Sequence, residues 1–356
     1  MWSRRAKPLV GVDIGSHAVK LVRLSPAGRR FQLLNLGVIP LPSDAVIDGT
    51  IAKVSAVQES LRRLVMLEEL STKDVSLALS GHSVIVKKVR MARMTEDELA
   101  GSMPYEAEQY IPFDVYDVNI DFQILQSGGD VNARDPQMDV LLVAAKKGRV
   151  EELNRVAQAV QLRPVVVDVD MLALMNCFEF NYPDELRGRV ISLVHVGASL
   201  MTVLILHDGL SAFQRDIALG GNQYTAALQK ALGLSRDEAE SLKLGVAGDP
   251  RGSSNVLAVL RTSTEDVVTE IRRSFEFYLG SAGDEPIEQV YLSGGCARMK
   301  GLPQLLSRSL RLPVELLDPF REIDVPEKLF DPDFVRDLAP MAAVAVGLAM
   351  RRKDDR

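Results

Sequence analysis

Gly11-Val12-Asp13-Ile14-Gly15-Ser16 is the stretch on which the reading of this chain turns. It closes an apolar run, Leu9 to Ile14, and opens onto Val19 to Leu24, where Val19 and Leu21 alternate with Lys20 and Arg23. Such alternation marks a half-buried strand. Phe31 to Ile39 is a third strand-like run, so the chain begins as a three-strand meander. Gly15 in the first turn is expected to reach positive φ and to let backbone N–H groups approach phosphate oxygens. Asp13 offers a carboxylate to a hydrated Mg²⁺, a cation that takes oxygen ligands and keeps several waters. Lys20, in the next strand, is a point charge within reach of a phosphate.

Outward from that turn, Ile51 to Leu67 carries apolar residues at helical spacing, and Val75 to Leu79 alternates again. A separate unit follows. Val84, Val86 and Val89 predict a strand, and Thr95-Glu96-Asp97-Glu98 is a capping box that opens a helix through about Tyr110. Ile111-Pro112-Phe113 ends it, since proline cannot continue the ladder. Val118 to Leu125 and Met138 to Ala145 predict strands, with a polar, glycine-containing loop between them at Ser127 to Pro136. Val150 to Val160 is again helical.

The second half repeats the opening. Val190 to Val196, Leu200 to Leu206 and Leu210 to Ile217 form another three-strand meander, whose first turn is His195-Val196-Gly197-Ala198-Ser199. A helix follows Gly220-Gly221. Ser235-Arg236-Asp237-Glu238 caps a second helix, and Thr262-Ser263-Thr264-Glu265 is expected to cap a long third one. Ile287 to Leu292 predicts a strand that stops at Ser293-Gly294-Gly295-Cys296, with a helix starting near Arg298 and a last helix from about Pro340 to Met350. Three strands plus helices, an inserted unit, then three strands plus helices is an internal duplication. It implies two similar α/β domains facing each other across a cleft.

Bulk properties narrow the classes. The chain has 356 residues, enough for two or three domains, with 47% hydrophobic and 25% charged residues. A net charge of -6 speaks against a nucleic-acid binder. Cys177 and Cys296 lie far apart without ligand spacing, which argues against zinc or a disulfide framework and for a reducing cytosol. No run reaches the roughly 18 apolar residues of a spanning helix, so membrane attachment is expected only through partners.

The three glycine turns together resemble the phosphate-1, phosphate-2 and adenosine motifs of the actin/Hsp70/sugar-kinase ATPase superfamily. Glu240-Ser241-Leu242-Lys243 resembles the helix segment whose Glu and Lys contact ribose and adenine. Asp168-Val169-Asp170 and Met341 to Gly347 resemble the segments where the domains cross. The unit from Gly81-His82-Ser83 through Glu106-Ala107-Glu108-Gln109-Tyr110-Ile111-Pro112-Phe113 resembles the 1C (SHS2-like) subdomain of the FtsA and PilM families, and that run together with Val346-Gly347-Leu348-Ala349-Met350-Arg351 is similar to the PilM family in particular. FtsA-like proteins add a C-terminal amphipathic membrane helix; the ending Arg352-Lys353-Asp354-Asp355-Arg356 is too short and polar for one.

The resemblance implies an actin-like fold divided into subdomain 1A at 1–81, 1C at 82–163, a return to 1A at 164–189, domain 2 at 190–338 and a closing helix at 339–356. It implies ATP and Mg²⁺ as cofactors, held by Asp13, Gly15, Ser16 and Lys20, by Gly197, Ala198 and Ser199, by Glu240 and Lys243, and by Gly294, Gly295 and Cys296, with Asp13 toward the metal. It implies the N-terminal cytoplasmic tail of the membrane protein PilN as a partner, near the 1A/1C junction, with other pilus platform and motor proteins. The expected role is a scaffold for pilus assembly and twitching motility at the inner membrane. An FtsA-like filament former and a small-molecule kinase of the same superfold are the alternatives. His195 stands where the phosphate-2 turn normally has Asp. A neutral imidazole brings no charge to Mg²⁺, so slow turnover is expected.

Overall fold

The computed structural model describes residues 9–125, 137–245, 253–282, 285–353 and 355. The loop expected at Ser127 to Pro136 therefore lies outside the described residues.

Val10–Ile14 (β1), Ala18–Ala27 (β2) and Arg30–Pro40 (β3) form the first antiparallel meander, followed by a small hairpin, Val46–Ile47 (β4) and Thr50–Ile51 (β5). Helix α1, Val54–Leu67, buries Val57, Leu61 and Leu64 on one stripe. Asp74–Leu79 (β6) returns parallel to β1. The inserted unit comprises Val84–Ala92 (β7), helix α2 (Glu96–Ala107), Val118–Ile124 (β8) and Gln137–Lys146 (β9). Helix α3, Lys147–Gln158, leads to Arg163–Val169 (β10) and helix α4, Asp170–Asn181.

The second meander is Val190–Val196 (β11), Met201–His207 (β12) and Leu210–Ile217 (β13). Helices α5 (Gly221–Leu232), α6 (Arg236–Lys243) and α7 (Ser253–Ala282) follow, then Gln289–Ser293 (β14), α8 (Leu302–Leu310), Val314–Leu316 (β15), Ile323–Asp324 (β16) and α9 (Pro332–Met350).

The sheets carry the duplication. One has the order β10-β6-β1-β2-β3-β16 and the other β13-β12-β11-β14-β15. In each, an antiparallel meander is extended by parallel strands added beside its first strand. Helices α4 and α9 lie between the sheets. Their Cys177, Phe178, Ala342 and Val346 share one core with Val22 and Leu33 of the first sheet and Leu193 and Leu204 of the second. Close approach there depends on missing side chains. A Cβ on Gly347 would sit 1.8 Å from the Ala173 carbonyl oxygen, and one on Gly11 would sit 2.1 Å from that of Ala345.

The inserted unit has its own core, where Leu99, Met103 and Ala107 of α2 cover Val89, Val140 and Leu142 of a three-strand sheet ordered β7-β9-β8. Helix α3 instead sends Leu153, Val156 and Ala157 into the core beneath β1 and β6.

Four element boundaries differ from the sequence expectation. Helix α2 ends at Ala107 rather than near Tyr110, the chain then turning through Gln109 and Tyr110. Helix α7 begins at Ser253 and runs 30 residues straight through Thr262-Ser263-Thr264. With helix on both sides there is no end for Thr262 to cap, and Thr264 spends its hydroxyl on the Leu260 carbonyl one turn back, at 2.8 Å. After Ser293 comes a short 3₁₀ turn, Gly295–Arg298, and the regular helix waits until Leu302. Helix α9 starts at Pro332, capped by Asp331, and passes through Pro340. A proline there gives up its own N–H and crowds the carbonyl four residues back, a cost of about 3 kcal/mol, and the apolar α9 surface packed between the sheets offsets it.

Candidate functional site

The two meander turns face each other across the interlobe cleft. In the first, Asp13 is registered opposite Lys20 on the neighbouring strand, and Gly15 N–H donates to the Ala18 carbonyl at 3.1 Å. In the second, His195 is opposite Thr202, and Gly197 N–H donates to the Leu200 carbonyl at 2.9 Å. The hydroxyls of Ser16 and Ser199, one from each turn, meet at 2.5 Å.

Gly15 does not have the positive φ expected of it, and Gly197 has none either. Their value is room. A Cβ on Gly15 would press to 3.0 Å from Lys20 Nζ, and one on Gly197 would lie 2.9 Å from the Leu200 carbonyl oxygen. Positive φ falls instead on Gly294, at +92°, where a Cβ would run into the Val196 backbone.

One cavity gathers Asp13, Gly15, Ser16 and Lys20 with Gly197, Ala198, Ser199, Glu240, Lys243, Gly295 and Cys296. Eleven of the twelve sequence-selected residues thus share one cavity. Gly294 does not line it; that residue is buried behind, its N–H donating to the Pro340 carbonyl at 2.7 Å and tying the end of β14 to α9. His195 also lines the cavity, and His17 stands exposed at its mouth.

Charge is unevenly placed. Lys20 Nζ grips Asp13 Oδ2 at 2.6 Å, with both side chains largely buried. Deeper in the second lobe, Lys243 Nζ donates to Glu240 at 2.7 Å, to Thr225 Oγ1 at 3.1 Å and to the Gly221 carbonyl at 3.3 Å. Burial alone would raise the Glu240 pKa. The Lys243 ammonium and hydrogen bonds from Lys243 and Thr225 outweigh burial and hold it below the usual carboxylate value. His195 shares a 3.0 Å hydrogen bond with Ser293 through Nδ1. Burial, reinforced by the Lys20 charge, pushes its pKa down to about 4 against the opposing pull of Asp13, so the ring is neutral at pH 7.

Sequence reasoning left several wall residues out of the site. Asp170, the first residue of α4, lines the cavity, as do Thr202, Gly221 and Arg298. Burial pushes the Asp170 carboxyl well above the usual range, and the Asp216 charge pushes the same way. Gly221 was visible as half of a double glycine before a helix. Its Cβ would strike Cys296 Sγ at 2.7 Å, so only glycine lets α5 start beside the third turn. Nothing local marks Thr202, which the strand register brings in, and Asp170 stands out in the sequence only as part of the segment where the domains cross.

A second depression adjoins the first. Gly81, His82, Val84 and Val86 form one side of it, Pro112 and Phe113 another, and Gln214, Arg215 and Asp216 of β13 a third, with Asp170 on its wall. Strands β7 and β13 are each the outer strand of their sheet here. Gln214 Nε2 crosses from one to the other and donates to the Val86 carbonyl, while its Oε1 is buried without a hydrogen-bond partner among the described residues.

Among the described residues no group of three or more His, Cys, Asp and Glu side chains is placed to hold a metal by itself. No helix of the described residues is long and apolar enough to cross a membrane.

Comparison with known proteins agrees with this architecture. A solved PilM-PilN type IV pilus biogenesis complex contains a chain 27% identical to this one, with a TM-score of 0.85, matching 98% of this chain and 99% of that one. The ethanolamine utilization protein EutJ from Carboxydothermus hydrogenoformans shares the fold at 15% identity and a TM-score of 0.57, over 96% of this chain and 89% of its own. MreB5 of Spiroplasma citri, solved with ADP, shares it at 12% identity and a TM-score of 0.53, over 96% of this chain and 94% of its own. The fold is therefore actin-like. Residues 11–353 match the family described as type IV pilus assembly protein PilM. With nearly its whole length inside that match, the chain belongs to the PilM family of type IV pilus assembly proteins.

Proposed function

We propose that this chain is a nucleotide-gated scaffold of a type IV pilus machine, holding ATP with Mg²⁺ in the interlobe cleft and the N-terminal cytoplasmic tail of a PilN-type protein in the adjoining groove. Through that tail it joins the inner-membrane alignment complex to the cytoplasmic motor, supporting pilus assembly and twitching motility. One observation carries the nucleotide part: both meander turns and the third glycine turn open on one cavity with an ammonium in each lobe. The cavity suits the ligand. Lys20 and the turn amides face the place for phosphates, and the bare backbone at Gly295, where a Cβ would meet nothing, leaves space for a flat ring or ribose.

Mg²⁺, when bound, would offset phosphate charge. Asp13 is the residue to hold it, through water, since a site of few carboxylates is the usual arrangement for this ion beside phosphates. Neutral His195 adds no negative charge at the second turn, and Ser293 fixes its ring. Slow or absent hydrolysis follows, because a group that stabilises developing charge is missing.

The groove suits an extended peptide. Among the described residues it is bordered by the outer strands β7 and β13, bridged by Gln214 at Val86, and an incoming strand adds to such an edge by main-chain hydrogen bonds. Calorimetry on the full chain tests both parts. ATP with MgCl₂ should bind, and a synthetic peptide of the PilN-type tail should bind independently of added membrane. No heat with ATP at any Mg²⁺ concentration would refute the nucleotide reading. No binding of the peptide would refute the partner reading.

A further inference from the structure

The cleft and the groove share a wall, and each is built from both lobes. In the cleft, Asp13 and Lys20 come from the first lobe and Gly197 and Lys243 from the second. In the groove, Val84 and Phe113 face Gln214 and Asp216. Whatever fills one cavity favours the lobe arrangement that also forms the other, which is the thermodynamic condition for coupling.

Two features make the connection specific. Asp170, at the start of α4, lines both cavities. A polar rung also crosses the second sheet in register: Ser293 is beside His195, His195 beside Thr202, and Thr202 beside Asp216. Its ends are hydrogen-bonded, Ser293 to His195 at 3.0 Å and Thr202 Oγ1 to Asp216 Oδ1 at 2.7 Å. Thr202 and His195 line the cleft, while Asp216 lines the groove, where its charge bears on the Asp170 carboxyl of the other lobe and the Gly81 backbone and His82 bear on Asp216 itself.

We propose that Asp170 and Asp216, one from each lobe, form the contact through which nucleotide in the cleft and peptide in the groove strengthen each other's binding. This rests on the peptide reading of the groove given above. Holding the Asp216 charge against the desolvated Asp170 carboxyl has a cost, through repulsion or through the proton needed to relieve it. Either ligand, by holding the lobes closed, meets that cost once, and the second ligand then binds without it.

The test is calorimetry of ATP with MgCl₂ on the full chain, with and without the synthetic PilN-type tail peptide at saturation. The peptide should tighten ATP about tenfold, within the usual range of coupling between sites. Asp216→Asn removes the repulsion and keeps a partner for Thr202. It should bind ATP alone several-fold tighter than the natural chain, and its coupling should fall below about twofold on the same scale. Asp170→Asn should reduce the coupling likewise, and thermal melts confirm that both variants fold. If both ligands bind independently in the natural chain, or if Asp216→Asn keeps full coupling, the proposal is overturned. If ATP binds and the peptide does not, the partner reading falls. The ATP affinity of Asp216→Asn then still decides the carboxyl contact, and an unchanged value overturns it.

Discussion

The two meander turns are the same object in backbone and different objects in charge. Asp13 opposite Lys20 in the first lobe occupies the register that His195 opposite Thr202 occupies in the second. Both turns close with a glycine N–H donating to a carbonyl three residues on. Yet the first holds an ion pair and the second a neutral imidazole beside a hydroxyl. Duplication of a fold thus preserves the amide cradle, which depends on register and on room for glycine. It does not preserve the side chains that decide what happens to a bound group.

The comparison can be broken most severely through the second turn's neighbour. Gly221→Val should lower ATP affinity by more than about a hundredfold, since its branches collide with Cys296 and Lys243 and force α5 away from the third turn. Calorimetry reads the loss, and circular dichroism shows whether the lobes persist. Next in size, Lys20→Ala should weaken ATP about ten- to a hundredfold, the worth of a charged hydrogen bond removed beside the unpaired Asp13 carboxylate. The equivalent change in the second lobe, Thr202→Ala, should cost far less; equal losses would mean the turns contribute alike.

Acid sharpens the contrast. A histidine whose folded pKa lies near 4 binds fewer protons folded than unfolded between about pH 4 and its ordinary pKa, 6.5. Stability from this ring is therefore complete above that window and lost as pH falls through it. At pH 5 the loss should be about 2 kcal/mol. The raised carboxyls of Asp168, Asp170 and Asp216 act with the opposite sign, favouring the folded state as pH falls. Thermal melts of His195→Asn should lack the imidazole limb and keep the carboxyl limb. Smallest of all, His195→Asp should make ATP binding depend on Mg²⁺ about tenfold more than in the natural chain, as a second carboxylate joins Asp13. A variant with unchanged Mg²⁺ dependence and no gain in hydrolysis would show that the second turn never faces the metal.

Much of this was legible in the residues. Periodicity and turn chemistry located both meanders, the inserted unit and the capping boxes at Thr95 and Ser235, each of which the structure forms with both reciprocal hydrogen bonds. Signals failed where a local pattern had a second physical outlet. Thr264 looked like part of a cap but spends its hydroxyl inside a longer helix. Pro340 looked like a start but is carried inside a helix held by packing between the two sheets.

By itself the sequence determined the elements, the repeat and the glycine positions, because strand alternation, helix spacing and the demand for a missing Cβ are local or periodic properties. Only the tertiary structure decided that Gly294 stands behind the cavity while Gly221 lines it, that Thr202 answers to Lys20, and that Asp170 lines two cavities with Asp216 on the wall of the second. Those facts come from strand register and from two lobes closing on each other, and contacts between residues far apart in the chain leave no periodic trace along it.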